Sequence, residues 1–466
     1  MLSSDNPILK TDSYKVSHYK QYPPLTTNVY SYFESRGGDY KETTFFGLQY
    51  IIKKHLLTPV DEGHVHQAQQ IAKDHFGTDF VNVDGWTRII KHHEGRLPLF
   101  IKAVPEGLSV PTGNVLMTVE NTDSELPWLT NYVETILSQV WYPTTVATLS
   151  REVKKVIQHY LDLTGNDPSE FKLHDFGYRG STSHESAGIG GVAHLVNFRG
   201  TDTLSSITFA RDYYNCKMGG FSIPAAEHST ITSWGKKHEI DAFRNMLEQY
   251  PKGLVAVVSD SYNIFDAADI KWGVELHDKV MERDGCVVIR PDSGYPPHVT
   301  LKLLEILEKR FGVTYNKKGY KVLDPHVRII QGDGCDPQMI REILKVMAFH
   351  YWSADNIAFG MGGGLLQKVN RDTCKFAFKC SSVIVDGKER DVWKDPITDP
   401  NKWSKRGRLA LINHAQHGYM TLPVMELHSE IGDAYAGMQD VLHPVYKNGQ
   451  LLIDESLDVV RQRARL

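Results

Sequence analysis

Val327-Arg-Ile-Ile-Gln-Gly-Asp333 is a short apolar run that ends in polar residues, and Asp336-Pro-Gln-Met-Ile-Arg-Glu-Ile-Leu-Lys-Val-Met347 follows it at once. The run is continuous rather than alternating, which suits a strand buried on both faces. In the second stretch Asp336 is a natural N-cap and Pro337 a first-turn residue. Met339, Ile340, Ile343, Leu344 and Met347 follow as an apolar helical stripe. Together they read as one strand–helix unit.

The unit recurs through the middle of the chain. Its other apolar runs are Phe171-Lys-Leu-His-Asp175, Leu195-Val-Asn-Phe-Arg-Gly-Thr-Asp202, Gly220-Phe-Ser-Ile-Pro-Ala-Ala-Glu-His228, Leu254-Val-Ala-Val-Val-Ser-Asp260, Val287-Val-Ile-Arg-Pro-Asp292 and Asn356-Ile-Ala-Phe-Gly360. Successive starts lie roughly 24 to 40 residues apart, room for one strand and one helix each. In 298–311, Leu303, Leu304, Leu307 and Phe311 share a helical face. Seven units in series predict an α/β fold, an irregular TIM-like α/β barrel. An open doubly wound sheet is the alternative that periodicity leaves open.

The flanks read differently. Residues 97–121 alternate with Gly and Pro punctuation, and 376–466 carry hairpin signals at Asp386-Gly387 and Asn448-Gly449. Two amphipathic helices are predicted between them and the barrel. One carries Leu129, Tyr132, Val133, Ile136, Leu137, Val140 and Trp141. The other carries Leu149, Val153, Val156, Ile157, Tyr160 and Leu161. The expected division is a discontinuous β-rich α+β domain, 1–160 with 376–466, and a barrel domain, 161–375.

Composition bounds the function. Of 466 residues 41% are hydrophobic and 23% charged, which excludes intrinsic disorder. A net charge of −4 gives no electrostatic reason to hold nucleic acid. No stretch is long and apolar enough to span a membrane. Five cysteines without a CxxC pair, and an N-terminus without a basic or apolar leader region, predict reduced thiols in a cytoplasmic protein.

In parallel α/β folds ligands bind at the C-terminal ends of strands. The polar residues there are Asp175, Arg179, Asp202, Glu227, His228, Asp260, Arg290, Asp292 and Asp333, with Gly362, Gly363 and Gly364. One such Asp alone is most simply a helix cap; a recurrence at unit after unit suggests a ring of groups around one mouth. The glycine-rich turns at Gly332–Gly334 and Gly362–Gly364 let backbone N–H groups approach an anion, with Arg371 in reach of the same phosphate. Alternatively they are tight turns needing positive φ. Gly188-Ile-Gly-Gly-Val-Ala193 matches a dinucleotide fingerprint, but no apolar strand precedes it, so it reads as close helix packing. There is no P-loop and no H-E-x-x-H, and the 21 histidines are scattered, so no protein-held metal is expected. The carboxylates and anion turns suit a magnesium-bound phosphorylated substrate.

Several longer segments carry a resemblance. They are Thr11-Asp-Ser-Tyr-Lys-Val-Ser-His-Tyr-Lys20, Leu173-His-Asp-Phe-Gly-Tyr-Arg-Gly180, Ile223-Pro-Ala-Ala-Glu-His-Ser-Thr230, Val258-Ser-Asp-Ser-Tyr262, Ile289-Arg-Pro-Asp-Ser-Gly294, Ile330-Gln-Gly-Asp-Gly334 and Gly362-Gly-Gly-Leu-Leu-Gln-Lys368. In this order, and over nearly the whole chain, they resemble the nicotinamide phosphoribosyltransferase family. The resemblance implies an irregular barrel with a β-rich second domain, and a homodimer with active sites at the subunit interface. It implies transfer of the phosphoribosyl group of phosphoribosyl pyrophosphate to nicotinamide in NAD salvage. Mg²⁺ would be required, and ATP hydrolysis would be coupled through a phosphohistidine.

Residue roles follow from the resemblance. Phe176 and the partner subunit's Tyr14 would sandwich the pyridine ring. Asp202 would accept the carboxamide NH₂ and repel nicotinate. Arg179 would lie near the ring substituent and pyrophosphate; Arg290 and Asp292 would hold ribose and pyrophosphate. Gly332, Asp333, Gly362, Gly363 and Arg371 would take the 5′-phosphate and ribose, and Arg36 and Lys379 would contact phosphate or pyrophosphate. His228 would accept a phosphoryl group, oriented by Asp260. Two departures stand out. Only six residues separate Arg36 from Thr43, where vertebrate members carry a longer basic insertion, and Ala256 replaces a ligand-contacting Ser of some relatives. The competing readings are a nicotinate phosphoribosyltransferase and a non-catalytic nucleotide-binding or signalling protein.

Overall fold

A computed structural model describes residues 3–399, 402–427, 435 and 438–466. The chain forms two compact units. The first contains the described residues up to Thr148, Asp212–Cys216 and those from Asn370 to Arg465; the second is Leu149–Arg211 with Lys217–Val369.

The second unit answers the choice between barrel and open sheet. Six parallel strands stand in the order Gly200–Thr201, Leu173–Asp175, Ile357–Met361, Val327–Gln331, Asp284–Arg290 and Lys252–Val258. The seventh run closes the ring. Phe221 bridges Gly200, and Ala225 bridges Ala256, both in parallel sense. Thr201 N–H reaches Phe221 O at 3.0 Å, and Phe221 N–H reaches Arg199 O at 2.7 Å. On the other side Ala256 N–H reaches Pro224 O and Ala226 N–H reaches Ala256 O, both at 2.9 Å. Pro224 has no N–H to give, so this stave makes bridges rather than a full ladder. The predicted irregular barrel is therefore the observed one.

Ala256, Cys286, Val288 and Ile330 pack inside it, with Phe176, Ile223 and Ala358 against them. Outside run the helices Pro296–Phe311 and Pro337–Phe349, with Leu303, Leu304, Leu307, Ile340, Ile343, Leu344 and Met347 buried as their spacing predicts. Each such side chain contributes about 1.5–3 kcal/mol by leaving water. Asp336 caps the second helix through Met339 N–H at 2.8 Å. The rejected dinucleotide fingerprint lies in the helix His184–Leu195 and is close packing. A Cβ on Gly188 would meet the Phe209 ring at 2.6 Å, and one on Gly191 would meet Ser206 Cβ at 2.6 Å.

The first unit is built on a seven-stranded antiparallel sheet. Its order is Lys388–Asp391, Phe376–Val385, Thr26–Ser35, Val115–Asn121, Leu99–Ala103, His443–Lys447 and Gln450–Leu451. Strands from both ends of the chain interleave. Both hairpin signals make turns in the left-handed region, with Asp386 and Gly387 at φ 51° and 69° and Asn448 and Gly449 at 49° and 82°.

Two details differ from the sequence reading. The first amphipathic stretch is not one helix but the short pieces Leu129–Tyr132 and Glu134–Ser138, ahead of a single 24-residue helix, Trp141–Thr164. The units divide at 148/149 and 369/370, not at 160/161 and 375/376. Within the barrel unit Ser150 Oγ lies 3.0 Å from His194 Nδ1 and Lys154 donates to Asn197 O at 2.7 Å, which ties that part of the helix to the barrel. Among the described residues, no helix is long and apolar enough to cross a membrane.

Candidate active site

At the C-terminal ends of the barrel strands lies a cavity of about 600 Å³. Phe176, Arg179, Asp202, Arg290, Asp292, Gly332, Asp333, Gly362 and Gly363 all line it, with Tyr178 and Glu227. Residues spread over almost 190 positions of sequence thus meet because each sits just beyond a parallel strand.

Phe176 follows the strand Leu173–Asp175, and its N–H donates to Met361 O at 3.0 Å. Its ring lies on the glycine turns. A Cβ on Gly360 would come within 1.9 Å of the ring, and one on Gly332 within 3.4 Å. Gly362, Gly363 and Gly364 do not have positive φ; Gly334 does, at 66°. The glycine trio therefore serves close approach. Around Gly363 there is open space, as an anion cradle requires.

Asp202 receives a short hydrogen bond from Ser222 Oγ at Oδ1. Asp292 lies 3.9 Å from Arg290 Nε. Burial raises its pKa, Arg290 opposes the shift, Asp260 adds to it, His228 opposes it and Asp333 adds again. The buried Arg290 Nε has no hydrogen-bond partner among the described residues, a cationic donor left over for an anion.

His228 opens the short helix His228–Thr232. Its Nε2 lies 3.0 Å from Asp260 Oδ1, and its Nδ1 lies 3.9 Å from Asp292 Oδ2. Asp260 is buried and His228 half-exposed. The second Asp260 oxygen accepts Ser293 Oγ at 2.6 Å. A carboxylate at Nε2 favours the proton there and leaves the Nδ1 lone pair as nucleophile.

Tyr14, Arg36, Lys379 and Arg371 belong to the other unit. Arg371 opens the short turn Arg371–Thr373, beyond the one-turn helix Gly363–Leu366. Tyr14 is exposed on the stretch Ser13–Lys20. Arg36 bonds Glu34 at 2.8 Å. Lys379, opposite Tyr32 in the sheet, is half-buried. Burial lowers its pKa, Glu134 opposes the shift, and the neighbouring charges of Arg36, Lys394 and Arg371 lower it further. Lys379 thus feels three other cations as well as the Glu134 carboxylate, an excess of positive charge that an anion would stabilise. Lys394 is the member that sequence reasoning missed; Ser222 and Ser293 were missed in the barrel. Short polar residues of this kind carry no pattern along the chain.

Among the described residues no three His, Cys, Asp or Glu stand close enough to hold a metal ion. Asp260, Asp292 and Asp333 nevertheless act on one another electrostatically. Their hard oxygens fit Mg²⁺ shared with substrate phosphates rather than caged by protein.

Comparisons with known proteins agree over the full chain. The family model for the nicotinate phosphoribosyltransferase family matches residues 171–450, and that for the N-terminal domain of nicotinamide phosphoribosyltransferase matches 6–101. A nicotinamide phosphoribosyltransferase of Xanthomonas campestris is 51% identical, covering 99% of this chain and 98% of that protein. One from Acinetobacter baylyi is 33% identical, covering 98% and 97%. The crystal structure of nicotinate-nucleotide pyrophosphorylase from Pyrococcus furiosus shares the fold, with a TM-score of 0.62 at 14% identity, over 100% of this chain and 96% of that one. With half its residues shared end to end with the Xanthomonas protein, this chain belongs to the nicotinamide phosphoribosyltransferase family.

Proposed function

We propose that this chain transfers the 5-phosphoribosyl group from phosphoribosyl pyrophosphate to the ring nitrogen of nicotinamide, as a step of NAD salvage. The observation that carries the reading is the single strand-end cavity where an aromatic face, Phe176, a carboxylate, Asp202, and open glycine turns come together. Nicotinamide stacks on Phe176 and gives its carboxamide N–H to Asp202. Nicotinate, with a negative group at that point, is repelled.

The pyridine nitrogen attacks C1′ with its lone pair as the C1′–oxygen bond breaks, and pyrophosphate leaves with that electron pair. The attacking nitrogen bears no proton, so the step needs no general base. The transition state has oxocarbenium character, and the protein positions the ring and balances the departing charge. Arg290 supplies a donor to the diphosphate, and the Gly332 and Gly362–Gly363 turns hold the 5′-phosphate and ribose. Asp333 lies beside them, and Arg179 reaches the ring-substituent side. Mg²⁺, held by Asp292 or Asp333 together with the diphosphate, would neutralise the leaving group.

ATP serves as co-substrate. His228 Nδ1 takes its terminal phosphoryl group, ADP leaves, and Asp260 holds the ring in the reactive tautomer. The chain acts as a homodimer, in which the partner's Tyr14 covers the second face of the pyridine ring. Arg36, Arg371 and Lys379 meet phosphate or pyrophosphate oxygens. Cys216, Cys286, Cys335, Cys374 and Cys380 are all free, which suits a cytoplasmic enzyme. The test is to offer the purified protein nicotinamide or nicotinate, each with phosphoribosyl pyrophosphate and Mg²⁺. Nicotinamide mononucleotide is the expected product; turnover of nicotinate alone would overturn the reading.

A further inference from the structure

Asp175 ends the strand Leu173–Asp175, and none of its surface reaches solvent. It bonds in two directions. Its Oδ1 accepts the Gly177 N–H at 2.7 Å, closing a turn over Phe176. Its carbonyl oxygen accepts the Asp202 N–H at 3.0 Å. The two groups that line the cavity with a ring face and a carboxylate are thus both tied to this one residue. They lie 26 positions apart in sequence, beyond two neighbouring strands.

The surroundings are shaped for that carboxylate. A Cβ on Gly191 would stand 3.2 Å from Asp175 Oδ2, so the helix His184–Leu195 passes close beside the carboxylate. Its Oδ2 is buried without a hydrogen-bond partner among the described residues, with Thr201 and Thr203 acting on it only electrostatically. Burial raises its pKa to about 6, the Gly177 N–H and the nearby Thr203 hydroxyl dipole oppose the shift, and the charge of Asp202 adds to it. A carboxylate kept where ionisation is costly needs a compensating use. An ionised acceptor grips an N–H roughly twice as firmly as a neutral one.

We infer that Asp175 is a positioning residue for the heterocycle subsite, holding Phe176 through the Gly177 turn and Asp202 through its carbonyl. This rests on the proposed reaction. Asp175 touches neither substrate, so its effect falls on nicotinamide rather than on phosphoribosyl pyrophosphate.

The experiment compares Asp175→Ala and Asp175→Asn with the wild-type full-length protein, in KM for each substrate and in kcat, with thermal melts to establish folding. Asp175→Ala is expected to raise the nicotinamide KM at least tenfold while the phosphoribosyl pyrophosphate KM and saturated kcat stay within threefold. Asp175→Asn keeps an acceptor for Gly177 N–H and is expected to restore nicotinamide KM to within about threefold. Should the cavity left by alanine prevent folding, Asp175→Cys fills more of it without a comparable acceptor, and the alanine expectation carries over to it. An unchanged nicotinamide KM in the folded variant, a parallel rise in both KM values, or an asparagine variant as impaired as alanine would each overturn the inference. Wild-type protein inert toward nicotinamide would instead remove the reading beneath it.

Discussion

His228 and Asp260 meet at 3.0 Å with opposite exposures, the carboxylate buried and the imidazole half in solvent. Ser293 holds the far carboxylate oxygen at 2.6 Å, so Asp260 is fixed before the ring engages it. The imidazole is thus oriented from behind and open in front, as a phosphoryl acceptor requires. His228→Ala is expected to abolish ATP hydrolysis and to weaken nucleotide synthesis. Asp260→Asn, with geometry kept and the tautomer preference lost, should slow ATP hydrolysis by about 100-fold or more. Unchanged ATP hydrolysis in His228→Ala, measured by phosphate release, removes His228 from this role.

Substrate choice should depend on the Asp202 charge. In Asp202→Asn the charge-assisted hydrogen bond, worth about 1.5–3 kcal/mol, is replaced by a neutral one. Nicotinamide kcat/KM is expected to fall by about 10- to 100-fold while nicotinate becomes a measurable substrate. Competition assays with both bases read the ratio directly; an unaltered ratio would exclude Asp202 as the selector.

Gly360 tests the Phe176 position from the other side. With a Cβ only 1.9 Å from the ring, Gly360→Ala must displace Phe176. Overpacking of this kind costs about 1–3 kcal/mol. A lower melting temperature together with a raised nicotinamide KM is expected, and isothermal titration with nicotinamide measures the lost affinity.

Asp175 gives a pH signature in stability. Its native pKa, about 6, lies above the ordinary carboxylate value of 3.8. The native state therefore holds this proton more tightly than the unfolded state. The contribution is present below pH 4 and is lost as pH rises through 6, a swing of about 3 kcal/mol. Asp202 is the charged neighbour; the other groups acting on it are the Gly177 N–H and the Thr201 and Thr203 hydroxyls. Asp175→Asn should melt above wild type at pH 8, with the advantage shrinking toward pH 4. Parallel melting curves at the two pH values check it.

The proposed sharing of active sites between two subunits makes a further expectation. Tyr14→Ala and His228→Ala variants, each impaired alone, should recover activity when mixed and allowed to exchange subunits, because the mixed dimer regains one complete site. Failure to recover, with exchange verified by light scattering of a size-tagged variant, would place both residues in one subunit's site.

The barrel was legible because buried parallel strands write themselves as continuous apolar runs. Even the seventh, Gly220–His228, was visible, although Pro224 reduces it to bridges. Its mouth was legible for the same reason, since each run ends where its functional residue begins. The stretch Leu129–Trp141 misled, because its spacing fits a helix while the chain makes two short turns there. Ser222, Ser293 and Lys394 lay beyond reach. A serine that donates to a carboxylate 20 or 33 residues away leaves no periodic trace.

The incomplete stave has a mechanical consequence. A hoop whose seventh stave is fastened to each neighbour by only two main-chain hydrogen bonds, around a proline, is expected to open there before its full ladders yield. That seam carries Ser222 at one end and runs into His228 at the other. Any breathing of the barrel would therefore reach Ser222, bonded to Asp202, and His228 together, through one segment of backbone.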